Sequence, residues 1–265
     1  MLNRWVTTSE SNAPFRPFRF AIITDLHVRQ FNGRQKLAEA IDRLNAVERL
    51  EFVLVLGDLI PDGTPAAFAE LMAPLRVPYH LIYGNNDRAY MDRWGDALEP
   101  LYYAFTWCDC LFVGFWNCLE RPGFGDHMGI FDERQMEWAE ELLQQHSDGR
   151  IHTFLYAHCP IREPGNEFDK FWIIPDQAER WVGWCERFDV TACFFGHVHH
   201  HEDFSLNGTR FFSTESLNWN FDPVPAGTPY FEGEWGQWGA IQIVDVTAGG
   251  IELTREAFDW PPLES

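Results

Sequence analysis

The sequence predicts an α/β fold in which parallel strands alternate with helices. Apolar runs typical of buried strands lie at residues 18–24, 52–56 and 79–83, and helical patterns separate them. Each run is followed by polar residues, as expected where the strands of a parallel sheet end at a common edge. This strand–helix alternation implies parallel pairing with helical crossovers.

The helices between these strands are predicted by apolar spacing and by start signals. Residues 34–50 carry apolar side chains at helical spacing and are expected to form one helix. Thr64 followed by Pro65 predicts the start of a second, short helix that ends near Pro74.

The second half of the chain returns to strands and two more helices. Asp132 and Gln135 have the spacing of a capping box, so a helix is expected from there to about Gln145. An amphipathic pattern predicts another helix at 176–188. Further strands are expected at 102–106, 111–115, 151–157 and 191–195, with short strands and turns over 210–259.

Composition favours one globular domain over the whole chain, residues 1–265. Hydrophobic residues make up 46% and charged residues 23%, enough to bury a sizeable core. No internal repeat or low-complexity linker divides the chain. We place the chemically informative motifs in 18–200 and expect C-terminal strands with an aromatic loop in 205–260.

The charge balance restricts the class of partner. With 40 acidic and 20 basic residues, the net charge is −20, which disfavours nucleic acid. A small phosphoester substrate remains compatible if metal ions neutralise its phosphate locally. No apolar segment is long enough to span a membrane, and residues 1–20 do not resemble a signal peptide. The six cysteines form no C-x-x-C pair, so free thiols and a cytoplasmic location are the default.

Oxygen and imidazole donors follow five of the predicted strands. Such donors suit divalent ions such as Mn²⁺, Fe²⁺ or Zn²⁺. One carboxylate can bridge two ions, and two ions about 3.5–4 Å apart can hold a phosphate and activate a water. The candidate ligands of two such metal ions are Asp25, His27, Asp58, Asn85, His158, His197 and His199.

The order Asp-x-His, Gly-Asp, Gly-Asn-x-Asp, His and Gly-His-x-His resembles the calcineurin-like metallophosphoesterase superfamily. The resemblance runs from Asp25 to His199. It implies a four-layer α/β/β/α sandwich with two mixed β-sheets, with the strands after residue 205 in the second sheet. It also implies a first metal bound by Asp25, His27, Asp58 and His199, and a second bound by Asp58, Asn85, His158 and His197, with Asp58 bridging.

One position departs from the family pattern. Asn86 occupies the place of a His that usually protonates the leaving group or stabilises charge on the phosphate. An amide can donate a hydrogen bond but cannot transfer a proton. The resemblance therefore gives Asn86, Asp87 and Asp58 as catalytic candidates. Asn86 and His200 are substrate-binding candidates. His200 and His201 extend the last motif and either form a solvated loop or supply, through one of them, the missing acid.

Three functions are consistent with these residues. Superfamily members that resemble bacterial phosphodiesterases lack the same His, which favours hydrolysis of a phosphodiester, including a cyclic nucleotide. A phosphomonoesterase acting on a nucleotide or sugar phosphate is the near alternative. The third is a metal-binding interaction scaffold, because a retromer subunit that resembles this fold has lost the equivalent His. The aromatic stretch 211–238 is either core packing or a wall that stacks on the substrate.

Overall fold

Two β-sheets pack face to face and helices cover their outer faces, giving four layers. This computed structural model describes residues 5–6, 8, 10–59, 65–88, 100–120, 129–161, 172–221 and 235–260. In chain order its strands are β1 (Trp5–Val6), β2 (Phe18–Ile23), β3 (Leu50–Leu56), β4 (Tyr79–Ile82), β5 (Tyr103–Trp107), β6 (Cys110–Gly114), β7 (His152–Tyr156), β8 (Ala192–Phe195), β9 (Glu202–Leu206), β10 (Thr209–Ser213), β11 (Asn220–Phe221), β12 (Trp235–Gly236), β13 (Trp238–Thr247) and β14 (Gly250–Asp259). Its helices are α1 (Gly33–Ala46), α2 (Pro65–Met72), α3 (Glu133–His146) and α4 (Pro175–Arg187), with a one-turn 3-10 helix at Asn85–Asp87.

The first sheet has the order β14-β13-β2-β3-β4. Strands β2, β3 and β4 are parallel, which confirms the alternation predicted for the first third of the chain. The long C-terminal strand β13 pairs antiparallel with β2, so the hairpin β13–β14 belongs to this sheet. The expectation that all strands after residue 205 lie in the second sheet is therefore wrong for this hairpin.

The second sheet has the order β1-β5-β6-β7-β8-β10-β9. Strands β6, β7 and β8 are parallel, whereas β5 and β6 form the predicted antiparallel hairpin. Strands β9 and β10 also join this sheet. Both sheets are mixed, as the resemblance implied.

Phenylalanine rings fill the space between the sheets. Phe20 stacks on Phe52 with ring centroids 5.1 Å apart, and Phe112 of the facing sheet meets Phe20 edge-on at 5.6 Å. On the outer faces, α1 and α2 cover the first sheet, and α3 and α4 cover the second. The six cysteines are buried free thiols, and none of the described helices is long and apolar enough to cross a bilayer.

The predicted capping box of α3 forms only in part. Asp132 caps the helix, since its carboxylate accepts from the backbone N–H of Arg134 at 2.9 Å. The side chain of Gln135 instead bonds the backbone N–H and carbonyl of Trp116, at 2.8 and 2.7 Å. Gln135 is fully buried, so its side-chain amide needs hydrogen-bond partners. The backbone of Trp116, just after β6, supplies them, and Gln135 therefore does not cap the helix. The predicted cap at Thr64 lies outside the described residues.

A buried histidine between the sheets is expected to make the fold acid-sensitive. His80 of β4 stacks on Phe105 at 3.7 Å, and among the described residues its Nε2 has no hydrogen-bond partner. Burial lowers the pKa of His80 from 6.5 to about 4. In the unfolded chain His80 is protonated below about pH 6.5, whereas in the folded protein it stays neutral down to about pH 4. The free energy of unfolding therefore falls as the pH drops from 6.5 towards 4.

We expect His80→Phe to remove this part of the acid sensitivity. Between pH 7 and pH 5 the wild type should lose about 2 kcal/mol more unfolding free energy than the variant. Urea unfolding at the two pH values measures the difference. Equal losses in both proteins would show that His80 is not the buried neutral group inferred here.

Candidate metal centre

Seven predicted donor residues meet at the carboxyl ends of five parallel strands. Asp25 and His27 follow β2, Asp58 follows β3, and Asn85 follows β4. His158 follows β7, and His197 and His199 follow β8 of the other sheet. All seven are buried, each with 9% or less of its surface exposed. The site therefore lies where the ends of both sheets come together.

The backbone at five of these donors adopts a conformation that L-residues rarely use. Asp25, His27, Asp58, His197 and His199 all have φ between 41° and 71°. Left-handed φ at non-glycine residues is costly and concentrates at functional sites. It lets both side chains of an Asp-x-His or His-x-His motif face the same pocket, although an extended strand would send them to opposite faces.

Glycine next to the donors permits the close approach of the two sheets. At Gly196, a Cβ atom would lie 2.0 Å from Thr24 Oγ1 and 2.7 Å from Asp25 Oδ2. The Thr24 hydroxyl donates to that same Asp25 oxygen at 2.7 Å. A methyl group at position 196 would therefore displace the carboxylate of Asp25.

We expect Gly196→Ala to weaken metal binding about 10–100-fold, the usual cost of disturbing the groups that orient a ligand. Gly183→Ala is the matched control, because a Cβ atom at that helical position meets nothing within 4 Å. Mn²⁺ titration calorimetry on both variants checks the prediction. An affinity of Gly196→Ala equal to that of the control would contradict it.

The first group of donors comprises Asp25, His27 and His199. One potential ligand atom from each lies within 4.8 Å of the others. His199 Nε2 is 3.1 Å from Asp25 Oδ1, and the two Nε2 atoms of His27 and His199 are 3.1 Å apart.

The second group of donors comprises Asp25, Asp58 and His158, again within 4.8 Å. His158 Nε2 lies 3.4 Å from Asp58 Oδ1 and 3.1 Å from Asn85 Oδ1. The other oxygen of Asp58 is 3.6 Å from His27 Nε2. Asp58 therefore stands between a histidine of each group, as a bridging carboxylate would.

Two histidine rings of the cluster direct their Nε2 atoms at the carboxylate oxygens. His158 Nδ1 is 2.7 Å from the carbonyl of Leu56, and His199 Nδ1 is 2.7 Å from the carbonyl of Trp219. A carbonyl only accepts, so each Nδ1 carries a proton. When Nε2 is deprotonated, as metal binding requires, its lone pair points towards the carboxylates. Asp25 Oδ1 is buried without a hydrogen-bond partner among the described residues. Cations between these atoms would resolve the repulsion, so the donor set fits metal ions.

The charges of the cluster show the same need for cations. Burial raises the pKa of Asp25, but His199 and His158 outweigh it and bring the pKa to about 2. Burial also lowers the pKa of His27, to about 4. For His158, burial again lowers the pKa, but Asp58 and Asp25 outweigh it and hold the pKa well above its ordinary value. Protons and metal ions therefore compete for the same carboxylate-rich pocket.

The sequence over residues 18–201 matches the model of the calcineurin-like phosphoesterase family. This chain belongs to that family. No protein of curated function matches the sequence. The family is dinuclear and metal-dependent, in agreement with the two groups of donors found in this structure.

Solved structures share the phosphoesterase fold at low sequence identity. A dimetal phosphatase from Danio rerio is similar with a TM-score of 0.59 and 15% identity, over 90% of this chain and 99% of that chain. The anchor in the inner membrane complex of Plasmodium gives 0.64 and 14%, over 90% and 84%. The protein TT1561 of Thermus thermophilus gives 0.56 and 9%, over 90% and 99%. At these identities the likeness establishes the fold alone.

The departure from the phosphoesterase pattern lies beside the donors. Asn86 is exposed, and its side-chain amide donates to Asp58 Oδ2 at 2.5 Å while its backbone N–H donates to Asp58 Oδ1 at 2.9 Å. Asp87 is buried, and its Oδ2 accepts from the backbone N–H groups of Gly84 and Leu59 at 2.8 and 3.2 Å. Asp87 thus fixes the turn that carries Asn85 and Asn86. Its catalytic role stays a prediction.

His200 is surrounded by charges other than those of the donor groups. The charged groups that act on its pKa include Glu215 and Arg255, although burial, which lowers the pKa, is the largest influence. Neither donor group found among the described residues includes His200. Its role in substrate binding stays a prediction.

The segment after β10 carries contacts that the sequence reasoning did not find. Ser216 Oγ donates to the carbonyl of Asp25 at 2.8 Å, and the Asn218 amide donates to the carbonyl of His27 at 3.0 Å. The ring of Trp219 packs on His199 with centroids 4.0 Å apart. Alternating polar residues directly after a buried strand were the available signal. Within the predicted aromatic stretch 211–238, residues 222–234 lie outside the described residues.

Proposed function

We propose that this chain is a dinuclear metal-dependent phosphoesterase whose small substrate is a phosphodiester. The observation that carries the proposal is the buried convergence of two donor groups, with the carboxylate of Asp58 between a histidine of each. Seven donors suffice for two ions that share a ligand, and a pair of ions is the arrangement that phosphoester hydrolysis uses.

In this proposal each ion is held from both sheets. Asp25, His27, Asp58 and His199 would hold the first, and Asp58, Asn85, His158 and His197 would hold the second. Bound Mn²⁺, Fe²⁺ or Zn²⁺ would polarise the phosphoryl oxygens and lower the pKa of the attacking water.

The chain's own contribution is orientation and the exclusion of solvent. The carbonyls of Leu56 and Trp219 fix the rings of His158 and His199 through their Nδ1 protons, which keeps each Nε2 directed into the pocket. Because the donors are buried, water screens their attraction for a bound cation only weakly.

The preference for a diester rests on Asn86. Its amide can hold an oxygen of the substrate by a hydrogen bond, but it has no proton to give to a departing alkoxide. Diesters such as cyclic nucleotides fit a family branch that works without the histidine at this position. Asn86 lies at the exposed side of the pocket while bonded to Asp58, a position from which it could contact the leaving group.

The test is metal reconstitution with a pair of aryl substrates. The protein is stripped with a chelator, supplied with Mn²⁺, Fe²⁺ or Zn²⁺, and assayed with bis(4-nitrophenyl) phosphate and 4-nitrophenyl phosphate. We expect metal-dependent turnover with the larger kcat/KM for the diester. A larger value for the monoester would overturn the substrate preference, and absence of turnover with every metal would overturn the enzyme assignment.

A further inference from the structure

The geometry points to two separate asparagine clamps, one for each proposed metal. Asn218 positions the loop that carries ligands of the first metal. Asn117 positions the end of the strand after which a ligand of the second metal lies. This inference rests on the proposed metal sites and adds residues outside the ligand set. Both asparagines are completely buried. Neither belongs to the donor groups, so each would act through the backbone of a ligand.

Asn218 is bonded to the loop that carries Asp25 and His27. Its side-chain nitrogen lies 3.2, 3.0 and 3.0 Å from the carbonyls of Leu26, His27 and Gln30. Its Oδ1 accepts from the ammonium of Lys36 at 2.7 Å. Carbonyls only accept and an ammonium only donates, so this orientation of the amide is forced.

The amide of Asn218 therefore fixes a loop whose backbone is strained. His27 has a φ of 41°, and such a conformation persists only where the surroundings over-determine it. Lys36, which is also buried, donates a second time to the Asn218 carbonyl at 2.9 Å. The clamp is thus anchored in α1 at one end and grips the first-metal loop at the other.

Asn117 makes the equivalent contact on the side of the second metal. Its Nδ2 donates to the carbonyl of Cys159 at 2.8 Å, and its Oδ1 accepts from the N–H of the same residue at 3.0 Å. Cys159 directly follows His158, and its thiol hydrogen-bonds His197. Asn117 therefore holds the strand end that carries His158 and the thiol that contacts His197.

The two clamps act on different ligands: His27 belongs only to the first group of donors and His158 only to the second, although Asp25 belongs to both. Asn218 contacts the segment after β2, and Asn117 contacts the segment after β7, which lies in the other sheet. Loss of either amide should consequently affect one ion and leave the other in place. A residue that merely supported the fold would weaken both sites together.

The experiment uses two matched substitutions that each exchange one nitrogen for one oxygen. Asn218→Asp places an oxygen against three carbonyls but keeps a partner for Lys36, and Asn117→Asp places an oxygen against the carbonyl of Cys159. Each full-length variant is stripped of metal and equilibrated with graded Mn²⁺. Bound metal is counted by mass spectrometry, and the two sites are distinguished by anomalous diffraction from crystals at a concentration that fills both wild-type sites.

We expect Asn218→Asp to weaken Mn²⁺ binding about 10–100-fold at the site of Asp25, His27 and His199 only. We expect Asn117→Asp to weaken the site of Asn85, His158 and His197 only, by a similar factor. Loss at both sites in each variant, loss at the opposite site, or unchanged occupancy would overturn the inference.

Two further results keep the outcomes separable. If Asn218→Asp does not fold, Lys36→Met tests the same clamp, because it removes the anchor and leaves the amide; selective weakening of the first site is again expected, and equal weakening of both sites overturns the clamp. A wild-type protein that binds no Mn²⁺ at either site would instead refute the proposed function.

Discussion

Asp58→Asn is expected to lower kcat/KM for phosphoester hydrolysis about 10³-fold or more, because the carboxylate that joins the two donor groups loses its charge. Asp58 Oδ1 is 3.4 Å from His158 Nε2, and Oδ2 is 3.6 Å from His27 Nε2. A neutral amide at this position would remove a negative charge that both proposed ions share. We therefore expect the variant to bind fewer than two Mn²⁺ per chain.

The same chemical change elsewhere provides the control for Asp58→Asn. Asp245 on β13 pairs with Arg19 at 2.9 Å near the start of β2, away from the donor groups at its end. Asp245→Asn should keep wild-type metal content and activity, since a partly exposed ion pair contributes little to stability. Hydrolysis and bound metal are measured for both variants. Full activity of Asp58→Asn would remove the proposed two-metal mechanism.

The donor blocks could be predicted because each follows an uninterrupted apolar run. A run such as 52–56 can only be a buried strand or part of a buried helix, and its short length favours a strand. Once strands alternate with helices, parallel pairing brings the polar residues at their ends to one edge. The pocket therefore follows from local patterns and one topological rule. That rule does not supply the left-handed φ angles, which the structure shows at Asp25 and His27.

The contacts that depend on distant partners could not be predicted in the same way. Gln242 of β13 pairs with Ile22 of β2, although nothing local to the C-terminal segment says which sheet it joins. Gln135 completes no capping box because Trp116, remote in sequence, supplies better partners. Asn218 resembles an ordinary turn residue until the carbonyls after β2 are placed beside it. In each case the hydrogen-bond partner lies in another segment of the chain, so the local sequence does not reveal it.

Asn86→His is expected to raise turnover about 10²-fold for substrates with poor leaving groups, because general acids contribute roughly 10²–10⁴ to such reactions. The turn around Asn86 is fixed independently of its own side chain, since Asp87 accepts from the N–H groups of Gly84 and Leu59. The backbone N–H of residue 86 also keeps its bond to Asp58 Oδ1. The backbone at residue 86 should therefore keep its position in the variant, and the imidazole would lie at the exposed side of the pocket.

The gain from Asn86→His should depend on the leaving group and on pH. A 4-nitrophenolate departs without a proton, so aryl substrates should show little change, whereas alkyl phosphomonoesters should gain most. The rate on alkyl esters should fall as the imidazole loses its proton, near pH 6.5 if its pKa is unperturbed, giving an alkaline limb that the wild type lacks. Asn86→Gln keeps an amide and should gain nothing on either substrate. An equal gain for aryl and alkyl esters would mean that the histidine acts through its charge or by binding metal. It would contradict the inference that the wild type lacks a proton donor for the leaving group.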